Sequence, residues 1–153
     1  QTKMLADNVY DLAADPTKPH GNPTPLQEVP RFDFAPLDQA AAKLKTSAKA
    51  YDDALAANGA HLSSADLARL QSLMQSLDQT LLISEGLPFR DWYKNSIYAP
   101  GRFTGYGAKT LPGVREAIEG GRWAEAQDYV ARTAKALDAL SDRLDKATRL
   151  LTQ

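Results

Sequence analysis

Residues 123–151, WAEAQDYVARTAKALDALSDRLDKATRLL, contain neither glycine nor proline, and Trp123, Ala126, Val130, Ala134, Leu137, Leu140, Leu144, Ala147 and Leu151 recur at steps of three and four. Those steps return a side chain to one face of a 3.6-residue helix, whereas a strand requires alternation of two. The stretch therefore reads as one long amphipathic helix. Alanine, leucine, lysine, aspartate and glutamine dominate elsewhere too, and β-branched residues are scattered, so the chain is expected to be all-α with almost no sheet. The stripes are narrow and rich in alanine, which lets helix axes approach closely and favours a left-handed, coiled-coil-like crossing.

Upstream, Pro112 suits the first turn of a short helix running through Glu119, and Gly120-Gly121 interrupts it. Residues 87–113 combine several glycines and prolines with Trp92, Tyr93, Tyr98, Phe103 and Tyr106, and read as a long ordered loop held by aromatic anchors. Before it, Ser63 caps a second long helix reaching about Ser84, with Leu67, Leu70, Leu73, Met74, Leu77 and Leu81 as its stripe. Asn58-Gly59 ends the first long helix through a left-handed cap. That helix starts at Asp33, tolerates Pro36 in its first turn, and carries Leu37, Ala41, Leu44, Ala48, Tyr51 and Leu55.

Pro16, Pro19, Pro23, Pro25 and Pro30 remove amide donors and stop any helix over residues 15–32. Residues 3–14 suit a short helix with Met4, Leu5, Val9 and Leu12 on one face and Asn8 as its weak point. The expected architecture is a helical bundle of three long helices plus short ones, with a long ordered aromatic loop. Its parts are a helix in residues 1–14, a proline-rich linker or loop in 15–32, and a helical domain in 33–153.

A chain of 153 residues with 43% hydrophobic composition suits one compact core. Eighteen Lys and Arg against 19 Asp and Glu leave no field that favours nucleic acid or an anionic membrane. The absence of cysteine excludes disulfides, thiolate metal sites and a cysteine nucleophile. The opening ten residues lack the unbroken apolar run of a signal peptide or membrane span.

Chemistry is sparse. His20 and His61 have no partner at the spacing of a helical zinc site, and read as exposed loop residues. No nucleophile elbow, phosphate-binding loop or dinucleotide fingerprint occurs. Asp52, Asp53, Asp66, Asp138, Asp142 and Asp145 lack the Glu-x-x-His partners of a diiron bundle and read as solvated helix faces. No catalytic, metal or cofactor site is expected in this chain.

Two adjoining segments carry a resemblance. Residues 87–100, LPFRDWYKNSIYAP, and 105–113, GYGAKTLPG, continued by Arg115, Glu116, Ala117 and Trp123, resemble the transferrin-receptor-like dimerisation domain that closes glutamate carboxypeptidase II-like zinc peptidases. Residues 30–34, PRFDF, look like a diverged form of that domain's opening. The resemblance implies a helix in residues 1–14 that leaves a preceding protease domain, and a domain that is inert alone. Two zinc ions would be held by that protease domain, which is one implied partner; a second copy in a homodimer is the other. It favours an extracytoplasmic parent.

In that family a Lys-Tyr pair meets the terminal carboxylate of the substrate, and Gly105-Tyr106 stands at those positions here. Tyr106 keeps a phenolic donor, but Gly105 removes the cation, and a charge-assisted hydrogen bond is roughly twice as strong as a neutral one. Strict selectivity for a C-terminal glutamate is thereby put in question, unless Arg102 or Lys109 supplies the charge. The alternative implied reading is a receptor-type binding module without peptidase activity, separated from the first by zinc ligands upstream.

Overall fold

The computed structural model describes residues 2–25 and 27–153; Gln1 and Leu26, the latter inside the expected linker, lie outside the described residues. It divides into two units, residues 1–30 and 31–153. In the first, helix α1 (Thr2–Ala6) and helix α2 (Val9–Leu12) are separated by Asn8 in the left-handed conformation at φ 58°. The single helix expected over 3–14 is therefore two short ones, because asparagine reaches this region more readily than most residues. Its described proline-rich residues form turns and irregular chain.

The second unit opens with a clamp. The Asp33 amide donates to Gln127 Oε1 at 2.9 Å, and Gln127 Nε2 donates back to the Asp33 carbonyl at 2.8 Å. Phe32 packs on Trp123 at 6.2 Å between ring centroids. Asp33 Oδ1 accepts the Ala35 amide at 2.9 Å, and α3 follows over Ala35–Asn58. Its end differs from the expectation: Gly59 keeps right-handed values, φ −57° and ψ −31°, and the chain tightens into a 3-10 turn, Gly59–His61. The tighter turn continues the helical hydrogen bonding, so no left-handed residue is needed.

Ser63 caps α4 (Ser64–Gln75) by accepting the Asp66 amide at 3.1 Å, and its hydroxyl donates to Asp66 Oδ2 at 2.6 Å. Ser63→Ala is expected to lower the unfolding free energy by about 1 kcal/mol, measurable by urea titration, as removal of such a cap usually does.

The long second helix stops at Gln75 rather than near Ser84. Ser76 Oγ turns back to the Ser72 carbonyl at 3.2 Å, and Arg143 Nη1 reaches both Ser76 Oγ and the Ser76 carbonyl. A tertiary cation thus serves the Ser76 carbonyl, which a continuing helix would have used, and a 3-10 turn, Asp78–Leu81, follows. Among the described residues two helices exceed 20 residues and α4 has 12.

Beyond it, residues 81–97 fold back on themselves. The Ile83 amide donates to the Lys94 carbonyl at 2.9 Å, and the Leu87 amide to the Tyr93 carbonyl at 2.8 Å. Strands β1 (Tyr98–Pro100) and β2 (Ala108–Thr110) then pair antiparallel, with Ala99 opposite Lys109. Helix α5 (Pro112–Glu119) starts on proline as expected, Gly121 turns at φ +67°, and α6 (Trp123–Leu151) completes the order.

Helix α6 is the hub, in contact with α3, α4, α5 and the 78–81 turn. One cluster gathers Ile83, Leu87, Ala99, Val114, Tyr129 and Val130; the other gathers Ala54, Leu70, Ala147 and Leu151. The apolar spacing of α6 is what serves both. The fold is predominantly helical.

Candidate functional site

The hairpin and the turns before it stand on a buried ion pair. Arg90 and Glu116 are each 7% exposed, and Arg90 Nη2 donates to Glu116 Oε1 and Oε2 at 2.8 and 2.9 Å. Arg90 Nη1 donates to the Pro100 carbonyl at the end of β1. Glu116 Oε1 also accepts the Arg102 amide at 2.9 Å. One carboxylate on α5 therefore fixes both the 87–93 turn and the start of the hairpin tip.

Around this pair the surface is cationic and aromatic. The Arg102 guanidinium lies 3.8 Å above the Phe89 ring and 4.9 Å from Phe103, and Arg122 approaches Phe89 from 5.0 Å. Phe89 itself holds φ 62°, a conformation that costs a bulky residue of order 1–2 kcal/mol and clusters at functional surfaces. Lys109 donates to Glu119 Oε2, Arg115 Nε lies 3.3 Å from Oε1, and the Lys109 hydrogen bond is the main reason the Glu119 carboxyl titrates below the ordinary carboxylate range.

The sequence-predicted residues are thus only partly brought together. Arg102 and Lys109 line one depression of about 160 Å³ with Phe103, Glu116, Glu119 and Arg122; Tyr106 is not among its walls. Tyr106 sits beyond Gly105, which turns at φ +62°, and is fully exposed. Lys109 is committed to Glu119, whereas Arg102 has no carboxylate within ion-pair distance among the described residues.

The inward aromatic packing expected of residues 87–113 is not found. Trp92, Tyr98, Phe103 and Tyr106 are exposed, and among these aromatics only Tyr93 packs against the core. The anchoring comes instead from Arg90 and Glu116, two charges whose burial the periodicity could not signal. Larger concavities lie along α6: a groove of about 720 Å³ against residues 80–85, and one of about 410 Å³ against α3.

His61 is exposed, and His20 Nε2 lies 3.2 Å from Asp11 Oδ1 within the first unit. Among the described residues no three His, Asp or Glu side chains converge as metal ligands would. No described helix is long and apolar enough to cross a membrane. Lys43 on α3 reaches Asp142 at 2.8 Å and Asp138 at 3.7 Å, so these two carboxylates link helices as well as facing solvent.

Over 68 residues, 44% of this chain, the protein is 34% identical to a probable glutamate carboxypeptidase of Arthroderma benhamiae. Over 75 residues it is 31% identical to the probable glutamate carboxypeptidase LAMP1 of Arabidopsis thaliana. The matches take in 9% and 11% of those proteins, so the chain spans about a tenth of the length of the curated relatives it matches. Residues 32–145 match the family described as the transferrin receptor-like dimerisation domain, a span that holds α3, α4, α5, the hairpin and most of α6. The chain belongs to the transferrin receptor-like dimerisation domain family.

Proposed function

We propose that this chain is the non-catalytic dimerisation and substrate-pocket-completing domain of a dizinc, glutamate carboxypeptidase-like exopeptidase. The observation that carries the reading is the family match over residues 32–145, and the two carboxypeptidase relatives give it a peptidase context. The zinc ions belong to a preceding protease domain, where they would activate water and polarise the scissile carbonyl. Residues 1–14 lead from that domain, residues 15–32 link, and the helical unit from residue 33 packs on it.

The exposed aromatics suit such packing. Phe89, Trp92, Tyr98, Phe103 and Tyr106 all come from the hairpin and its preceding turn, and exposed apolar groups of this kind mark interaction surfaces. Within the composite pocket Tyr106 donates its phenol to the substrate carboxylate, and Arg102, free of carboxylate partners, is the better cation. Lys109 serves Glu119 first.

In the full-length peptidase, Tyr106→Ala is expected to raise KM for a substrate with a free terminal carboxylate about tenfold, the worth of one such hydrogen bond. The melting temperature should not move, since the side chain is fully exposed. An unchanged KM would remove Tyr106 from the pocket. A parent that dimerises but hydrolyses no peptide would instead select the receptor-type reading.

A further inference from the structure

Helix α6 is covered on most of its circumference, and what remains open is one stripe that includes Asp128, Ala131, Lys135, Ala139, Asp142 and Arg149. Four of its charged members, Asp128, Lys135, Asp142 and Arg149, are seven residues apart and alternate in sign, with the exposed Lys146 between the last two. A seven-residue step keeps side chains on one face of paired helices, where charge order decides orientation. In a parallel, in-register pair of α6 helices every one of the four would meet its own sign. In an antiparallel pair centred between Asp138 and Ala139, Asp128 faces Arg149 and Lys135 faces Asp142, so all four meet opposites. In that register Lys146 falls opposite Ala131 and Asp138 opposite Ala139, which adds no like-charge contact.

The existing ion pairs leave the cations of the stripe available. Asp128 is held by Arg132 at 2.6 Å and Asp142 by Lys43 at 2.8 Å. Lys135, Lys146 and Arg149 have no carboxylate within ion-pair distance among the described residues. Between the charges stand Ala131 and Ala139, small enough to let two helix axes come within about 8–10 Å.

We infer that the open stripe of α6 is a two-fold interface, on which α6 of a second copy of this chain lies antiparallel. The inference rests on the dimerisation reading and adds to it the face, the orientation and the register. A two-fold contact uses the same surface on both copies, so each pairing occurs twice.

Light scattering of the purified chain over a concentration series measures dimer formation by mass action. Lys135→Glu, which breaks no ion pair within the chain, places two like-charge contacts in the dimer and should raise its dissociation constant about tenfold. Lys45→Glu, the same charge change on an exposed position of α3, should leave it unchanged. Adding Asp142→Lys to Lys135→Glu should restore affinity. The chain has no cysteine, so Ala139→Cys beside the axis should link two copies by a disulfide under oxidation, and Ala124→Cys should not, its two copies lying about 40 Å apart along antiparallel helices.

A dimer indifferent to Lys135→Glu, or one linked through Ala124→Cys, overturns the α6 assignment while dimerisation stands. A wild-type chain that stays monomeric at every concentration overturns the reading on which the assignment rests.

Discussion

Glu116→Ala is expected to cost about 3–5 kcal/mol of unfolding free energy, because it leaves the buried Arg90 guanidinium without its carboxylate. The loss exceeds that of a surface pair for a geometric reason. Arg90 Nε already has no hydrogen-bond partner, so the side chain has little else to turn to once Glu116 is gone. The Arg102 amide loses its acceptor at the same time. Chemical denaturation monitored by the fluorescence of the two tryptophans, Trp92 and Trp123, checks the magnitude; a cost below about 1 kcal/mol would mean that water reaches the pair. Arg90→Met should cost less than Glu116→Ala if the apolar replacement packs, since a buried pair removed together with its charge is cheaper than one left half empty.

Gly86→Ala should be comparably severe, about 3 kcal/mol or more, for two independent reasons. The residue sits at φ +71°, and an added Cβ would stand 2.0 Å from the Asp91 carbonyl oxygen, which is backbone and has no rotamer to move. Opening the 86–91 turn also disturbs the Gly86 carbonyl, which accepts the Tyr129 hydroxyl at 2.7 Å. Burial pushes the Tyr129 phenol above its ordinary pKa, consistent with a neutral donor locked in this contact. Thermal unfolding of the Gly86→Ala, Glu116→Ala double variant, read beside the two single ones, shows whether the turn and the ion pair fail as one unit: a loss smaller than additive would place them in the same cooperative element.

The parts of the fold that the sequence makes legible are those set by local chemistry. The stripe from Trp123 to Leu151, the Ser63 cap and Pro112 at the start of α5 stand where the spacing and the residue types place them. What it misreads depends on distant partners. Leu77 and Leu81 continue the helical period, yet Arg143, 67 residues from Ser76, supplies the donor that lets the chain turn away. The hairpin was hidden for the same reason: Arg90 and Glu116 look like two ordinary charges 26 residues apart, and only the fold shows that they hold β1 and α5 together. In the candidate site, the resemblance singled out Tyr106, Arg102 and Lys109, but nothing local reveals that Glu119 occupies Lys109 or that Phe89 stacks beneath Arg102.

The position of α6 has a consequence for biosynthesis. Helices α3, α4 and α5 and the 78–81 turn all rest against the element that leaves the ribosome last among them. Until its residues emerge, Leu70, Leu87 and Val114 lack the α6 side chains that complete their clusters, and the Asp33 amide waits for a glutamine 94 positions downstream. Folding of the helical unit is therefore completed only once α6 is available, and until then its earlier helices carry apolar faces that are incompletely covered.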